Sequence, residues 1–390
     1  MLTIAGKLRR SRRYIFHFLF ALSLFVLLHG CQSPQIDSST ATLPPEKGIL
    51  AEKVDTGEMY NPPRGEVRLV VISDLNGAYG ATDYEPEVDK AIALLPFWQP
   101  DMVLCSGDMI AGQKPSLTEE QLKAMWQAFD EHVAAPLRKA STPYGFTIGN
   151  HDASSAKNSS GDFLFQQERT IAANYWNNSD LGLDFVDRYN FPFYYSFKYK
   201  DVFFVAWDGS SSKIPQDKLD WVEQALESSA ARSAKIKILL GHLPLYGIAE
   251  GRNLPGEVMD NAEQLRNMLE RHGVHTYISG HQHAYYPAHR GKLQLLHTGI
   301  LGSGPRPFID SQIPPRKTLT LIDINFSHPE STFYTTYDMK TLQLIKNVEL
   351  PRFIAGHNGM VLRQDVEPEK LTTAEHAACE KLLSAELCHF

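Results

Sequence analysis

Five short apolar runs in this chain each end in glycine together with aspartate, asparagine or histidine. VVISDLN delivers Asp74 and Asn76, and MVLCSGD delivers Asp108. PYGFTIGNHD delivers Asn150 and His151, IKILLGH delivers His242, and TYISGHQH delivers His281 and His283. Runs of this kind read as central strands, and the carboxyl ends of such strands form the sheet edge where ligands bind. Two carboxylates among neutral nitrogen and oxygen donors suit a pair of divalent cations, since one carboxylate can bridge and the cluster stays net positive. Two such ions, about 3.5–4 Å apart, bind an anionic ester, lower the pKa of a water between them and brace an in-line displacement. Hydrolysis of a phosphate ester needs all three.

Each residue also has a plainer reading. A single Asp after a strand is usually a turn former or helix cap, and Asp74 ahead of a Gly-rich loop fits that role. The pattern as a whole outweighs that reading, and His281 and His283 least resemble packing residues because they bracket one Gln after a Ser-Gly turn. His132, His272 and His275 lack such a context, and Asp208 reads as a loop-ordering carboxylate. Tyr285, Tyr286, Arg290 and Arg306 follow the last motif and suit either a pocket wall or an ordinary loop.

From Val67 onward strands alternate with helices. Val88, Ala91, Ile92 and Leu95 form one helical stripe, and Leu219, Val222 and Leu226 form another after Pro215. Leu122, Met125, Phe129 and Val133 form a third stripe, with Ser116 and Glu119 read as its capping box. This β-α-β alternation predicts a layered α/β domain. From residue 318 the pattern is strands alone, expected as one face of a second sheet. Residues 153–192 are long enough for a cap insertion, and the Gly-rich stretch 247–257 suits a mobile wall beside the fourth ending.

The order D-x-N, GD, GNHD, GH, GHxH over residues 67 to about 304 resembles the calcineurin-like metallophosphoesterase superfamily. YYSFKYKDVFFVAWD and the later LDWVEQAL resemble its purple-acid-phosphatase-like branch. The resemblance implies a four-layer α/β/β/α sandwich of two mixed sheets flanked by helices. It implies hydrolysis of a phosphomonoester or phosphodiester by a water activated between two divalent ions, drawn from Mn, Fe, Zn or Mg. On that pattern Asp108 bridges the ions, and Asp74 and His283 complete the first site. Asn150, His242 and His281 complete the second. His151 stands beside them as transition-state stabiliser or general acid, oriented by Asp74 or a neighbouring carboxylate. Most members have His where this chain has Asn76, and Ala111 stands where purple acid phosphatases carry Tyr. Asn76 is therefore read as a ligand through its amide oxygen, as a hydrogen-bond partner of a metal-bound water, or as the mark of a single-metal site.

Residues 1–30 hold five basic and no acidic residues, then a 15-residue apolar run, short for a membrane span and suited to an export signal. Leu28-His29-Gly30-Cys31 resembles a bacterial lipobox, with Cys31 lipidated, and Ser11 to Phe16 resembles a twin-arginine signal. The expected organisation is a signal at 1–30, a tether at 31–65, a catalytic domain at 66–350 and a C-terminal extension at 351–390. The expected setting is the cell envelope or periplasm, with the membrane engaged by a lipid anchor rather than a span.

Without residues 1–30 the chain has 33 basic and 45 acidic residues, a net charge of −12 that disfavours duplex nucleic acid. Cys105 reads as a core thiol, while Cys379 and Cys388 are either paired or free. Two further classes stay open: a metal-binding envelope lipoprotein with weak or lost catalysis, and a structural lipoprotein. Metal content separates the three.

Overall fold

The computed structural model describes residue 56, residues 59–329 and residues 332–388. The expected export signal, Cys31 and most of the tether lie outside the described residues. No helix among the described residues is long and apolar enough to cross a membrane.

Among the described residues fifteen strands form two mixed sheets. The first three are the expected ones: β1 (Val67–Ile72), β2 (Met102–Cys105) and β3 (Tyr144–Phe146). Then come β4 (Asp184–Asn190), β5 (Tyr194–Tyr199), β6 (Val202–Ala206), β7 (Ile236–Leu240) and β8 (Thr276–Ser279). β9 (Tyr285–Arg290), β10 (Leu293–Thr298), β11 (Thr318–Ile324), β12 (Phe333–Asp338) and β13 (Gln343–Leu344) follow. β14 (Phe353–Gly356) and β15 (Gly359–Arg363) complete the set. The six-stranded sheet runs β13-β12-β11-β1-β2-β3, and the nine-stranded sheet runs β14-β15-β9-β10-β8-β7-β6-β5-β4.

Central strands buried on both faces are mostly apolar, and β1, β2, β6 and β8 are buried at every position; the charge in β1, Arg68, is paired with Asp323 at 2.9 Å. β1, β2 and β3 are mutually parallel, as are β6, β7 and β8, so within each set the carboxyl ends lie at one edge. The sheets pack face to face through side chains. Tyr195 on β5 receives the Phe146 amide of β3 at 2.9 Å, and Ser106 and Thr298 hydroxyls meet at 2.8 Å. Helices cover the outer faces. The Pro86–Trp98 helix sets Trp98 against Tyr337 of β12, and Gln216–Leu226 and Ala262–Arg271 pack on β6 and β10.

Several expectations are corrected. The five endings do not share one sheet: three belong to the six-stranded sheet and two to the nine-stranded one. The strands after 318 build no separate sheet, because β11 pairs antiparallel with β1, setting Val67 opposite Ile324. The capping box lies two residues later than expected, at Thr118 and Gln121, since the helix starts at Glu119. Residues 153–192 are largely woven into the body: helix Gln166–Asn177 buries Trp176 against Phe146, ring centroids 3.9 Å apart, and β4 ends a sheet. The tail likewise continues the body, as β15 pairs with β9. Cys379 and Cys388 are joined in a disulfide, and Cys105 is a buried free thiol.

Candidate metal centre

The polar residues meet where the edges of the two sheets face each other. Neighbouring loops are laced by backbone hydrogen bonds, Asp74 N–H to Gly107 O at 3.0 Å and Leu75 N–H to Asp108 O at 2.8 Å. The buried carboxylate of Asp152 gathers two loops by accepting the amides of Gly149 at 2.8 Å, Asp108 at 2.9 Å, Met109 at 2.7 Å and Ile110 at 3.0 Å. Asp74 in turn accepts the His281 amide at 3.1 Å, tying the two sheets together. Asp74, Asp108, His281 and His283 all have positive φ, at 50°, 55°, 65° and 54°. Each such residue costs on the order of 1 kcal/mol, and the strain turns side chains inward that regular strands would point elsewhere.

The side chains converge. Donor atoms of Asp74, Asp108 and His242 all lie within 4.8 Å of one another. His242 Nε2 is 3.3 Å from Asp108 Oδ2 and 2.8 Å from Asn150 Oδ1, while His281 Nδ1 is 2.9 Å from that same oxygen. His283 Nε2 is 3.3 Å from Asp74 Oδ1. Each imidazole meets a fixed acceptor through its outer nitrogen. His242 Nδ1 faces Ser106 O at 2.8 Å, His283 Nδ1 faces Gly304 O at 2.9 Å, and His281 Nε2 faces Glu257 Oε2 at 2.8 Å. A proton held outward leaves the inner nitrogen as a lone pair, the state a metal ligand needs. Asn150 is oriented the same way, its amide N–H donating to Gln113 Oε1 at 2.6 Å so that its oxygen points inward.

Acceptors so crowded repel one another unless a cation lies among them. Asp108 Oδ2 and His283 Nε2 are buried with no hydrogen-bond partner, which fits divalent ions held by this set. Protons show the same pull. Burial opposes charge on His242, yet Asp108 outweighs it and raises the imidazole to about 9. Burial likewise opposes charge on Asp108, but the His242 and His151 imidazoles hold its carboxyl well below the usual range. His281 is pushed well below its ordinary value by burial and then by Arg252, so it stays a neutral donor.

Not every expected residue is equally placed. The buried Asn76 takes no side-chain hydrogen bond among the described residues, and only its carbonyl is engaged, by Ser303 N–H at 3.0 Å. His151 borders the cluster, its amide donating to Asp108 Oδ1 at 2.8 Å. Among the described residues no carboxylate, Asp74 included, hydrogen-bonds its ring. Nδ1 lies 3.1 Å from Gly112 O, and the ring rests against Tyr79 at 5.1 Å. Asp208 is the loop-ordering carboxylate expected, paired with Arg169 at 2.8 Å. Tyr286 and Arg290 serve the body, bonding Pro351 O and Met360 O. Residues missed from the sequence are Asp152, Gln113, Arg252, Glu257 and Gln282. Asp152 and Gln282 stood in plain view inside GNHD and GHQH, while the others carry no local signal.

Residues 67–285 match the model of the calcineurin-like phosphoesterase family, and the chain belongs to that family. Among solved structures, a purple acid phosphatase from yellow lupin seeds is similar at 16% identity and TM-score 0.51, over 73% of this chain. This chain spans 54% of the lupin enzyme's length. A dimetal phosphatase from Danio rerio is similar at 14% identity and TM-score 0.44, over 67% of this chain and 93% of that one. No curated protein matches the chain.

Proposed function

We propose that this chain is a phosphoric-ester hydrolase acting through two divalent ions held by Asp74, Asp108, Asn150, His242, His281 and His283, with Asn76 beside the first. The observation that carries the reading is the pair of partnerless buried atoms, Asp108 Oδ2 and His283 Nε2, at the focus of donors from both sheets. Family membership supports the same chemistry. Ions bound here would supply charge for an anionic ester and lower the pKa of a water at the site. The protein's own contribution is placement. Asp108, aimed from the six-stranded sheet, and the three imidazoles, aimed from the nine-stranded one, fix the donor set. His151 stands at its rim, where it can pass a proton to the departing alkoxide. The setting we propose is the cell envelope, with the chain anchored through Cys31.

The test is metal analysis of the purified chain beside paired assays of p-nitrophenyl phosphate and bis-p-nitrophenyl phosphate. Two ions per chain with turnover of either ester is the expected result. Metal without turnover would instead favour the binding-protein reading, and a chain that takes up no metal would end both.

A further inference from the structure

Gln282, between the two imidazoles of GHQH, is fully buried and holds a loop in place. Its Oε1 accepts the Ile248 and Ala249 amides at 2.9 and 3.0 Å, and its Nε2 donates to the carbonyls of Arg252 at 3.1 Å and Glu257 at 3.4 Å. The stretch expected to be a mobile wall is thereby fastened to the metal-binding turn. It delivers Arg252, whose Nη1 donates to Glu257 Oε2 at 3.0 Å and lies 2.9 Å from His281 Nε2. The guanidinium's Nη1 also lies 3.2 Å from His281 Nδ1, so that one nitrogen is spent on Glu257 and the ring together. Its Nε and Nη2 have no partner among the described residues.

Arg306 comes from the other side. Its amide donates to His283 O at 3.0 Å, and its Nη1 reaches Glu250 O at 3.3 Å. Its Nε is buried with no partner. A Cβ built on Gly251 would come within 2.7 Å of Arg306 Nη1, so Arg306 lies against the loop that carries Arg252. Burial, and then Arg252, make Arg306 hold its proton less tightly than usual. Of the nearby carboxylates, Glu257 is committed to His281 and Arg252, and Glu250 accepts the Asp310 amide at 3.1 Å. Two neighbouring cations with unspent N–H donors are costly in isolation and favourable around an anion.

We infer that Arg252 and Arg306 form an anion subsite beside the metal centre, so that the favoured substrate is a phosphoester carrying a second anionic group. This rests on the hydrolase reading and extends it to substrate class. A matched pair of esters tests it: 3-phosphoglycerate and glycerol 3-phosphate differ in a carboxylate against a hydroxymethyl group. With the full chain loaded with Mn²⁺, both KM and calorimetric Kd should favour 3-phosphoglycerate by about tenfold, the worth of one charge-assisted pair. In R252A/R306A that ratio should fall to about one, with metal content retained. If the double variant does not fold, R306A and R252Q each read the same ratio. Equal binding of both esters by the wild type, or a ratio unchanged in the variants, would overturn the subsite. A binding preference abolished in the variants, with no turnover of either ester, would leave the subsite standing and refute the hydrolase reading.

Discussion

Gly149→Ala is the sharpest probe of how the centre is built. Gly149 has φ −91° and ψ 172°, an extended conformation any residue adopts, so the substitution brings no backbone strain. What it lacks is room. A Cβ at this position would stand 2.2 Å from both the Asp108 backbone nitrogen and its Oδ1, where ordinary contact begins at 3.4 Å. The Asp108 loop must therefore retreat by about 1 Å, several times the ~0.2 Å tolerance of a metal–ligand distance. The family resemblance implies that Asp108 bridges two ions, and on that reading both would lose a ligand at once. Overpacking of this kind costs about 1–3 kcal/mol. Gly161→Ala is the control: φ is +89° but nothing lies within 4 Å of the new methyl, so about 1 kcal/mol of strain is all it should cost. Metal stoichiometry by plasma emission, beside urea midpoints of both variants, gives the answer. A G149A chain that binds metal as the wild type does would show that Asp108 is not positioned as argued.

His151→Ala should slow hydrolysis of alkyl phosphates about a hundredfold and that of p-nitrophenyl phosphate less than about tenfold, because only the poor leaving group needs a proton. Equal losses on the two would remove the acid role. Asn76→His should tighten the first metal site, measurable as a lower dissociation constant, since imidazole is the better ligand for a borderline ion. An unchanged constant places Asn76 outside that site. Glu168 is a third case: burial lifts its carboxyl from 4.5 to about 7, despite the Gln113 amide it accepts. The folded state thus binds the proton more tightly, and this residue's contribution to stability falls as pH rises from about 4.5 through 7. Glu168→Gln should gain about 1–2 kcal/mol over wild type at pH 8, with screening discounted, and nothing at pH 4. Urea midpoints at the two pH values decide it, and an identical difference at both would refute the assignment.

The strand endings were legible because buried parallel strands are continuous apolar runs, and what interrupts them is conspicuous. Their division between two sheets was not. An apolar run reads the same in either sheet, and the pairing of β1 with β11 joins residues some 250 positions apart. Asp152 was visible but its role was not, because three of its four amide partners lie more than 40 residues away. His151 was expected to lean on a carboxylate, whereas a backbone carbonyl, Gly112 O, does that work. Such partners leave no trace in side-chain chemistry. Arg252 and Glu257 sit in irregular backbone without a period to mark which way they face.

The meeting of the sheets at their edges has a mechanical corollary. Asp74, Asp108 and Asn150 follow strands of one layer, and His242, His281 and His283 follow strands of the other. A cation held by this set would act as a clasp across the seam, and opening the sandwich would mean giving it up. At a thousandfold excess over its dissociation constant, such a clasp would be worth about 4 kcal/mol against unfolding, so chelation would loosen the whole body and not only the rim of the proposed site.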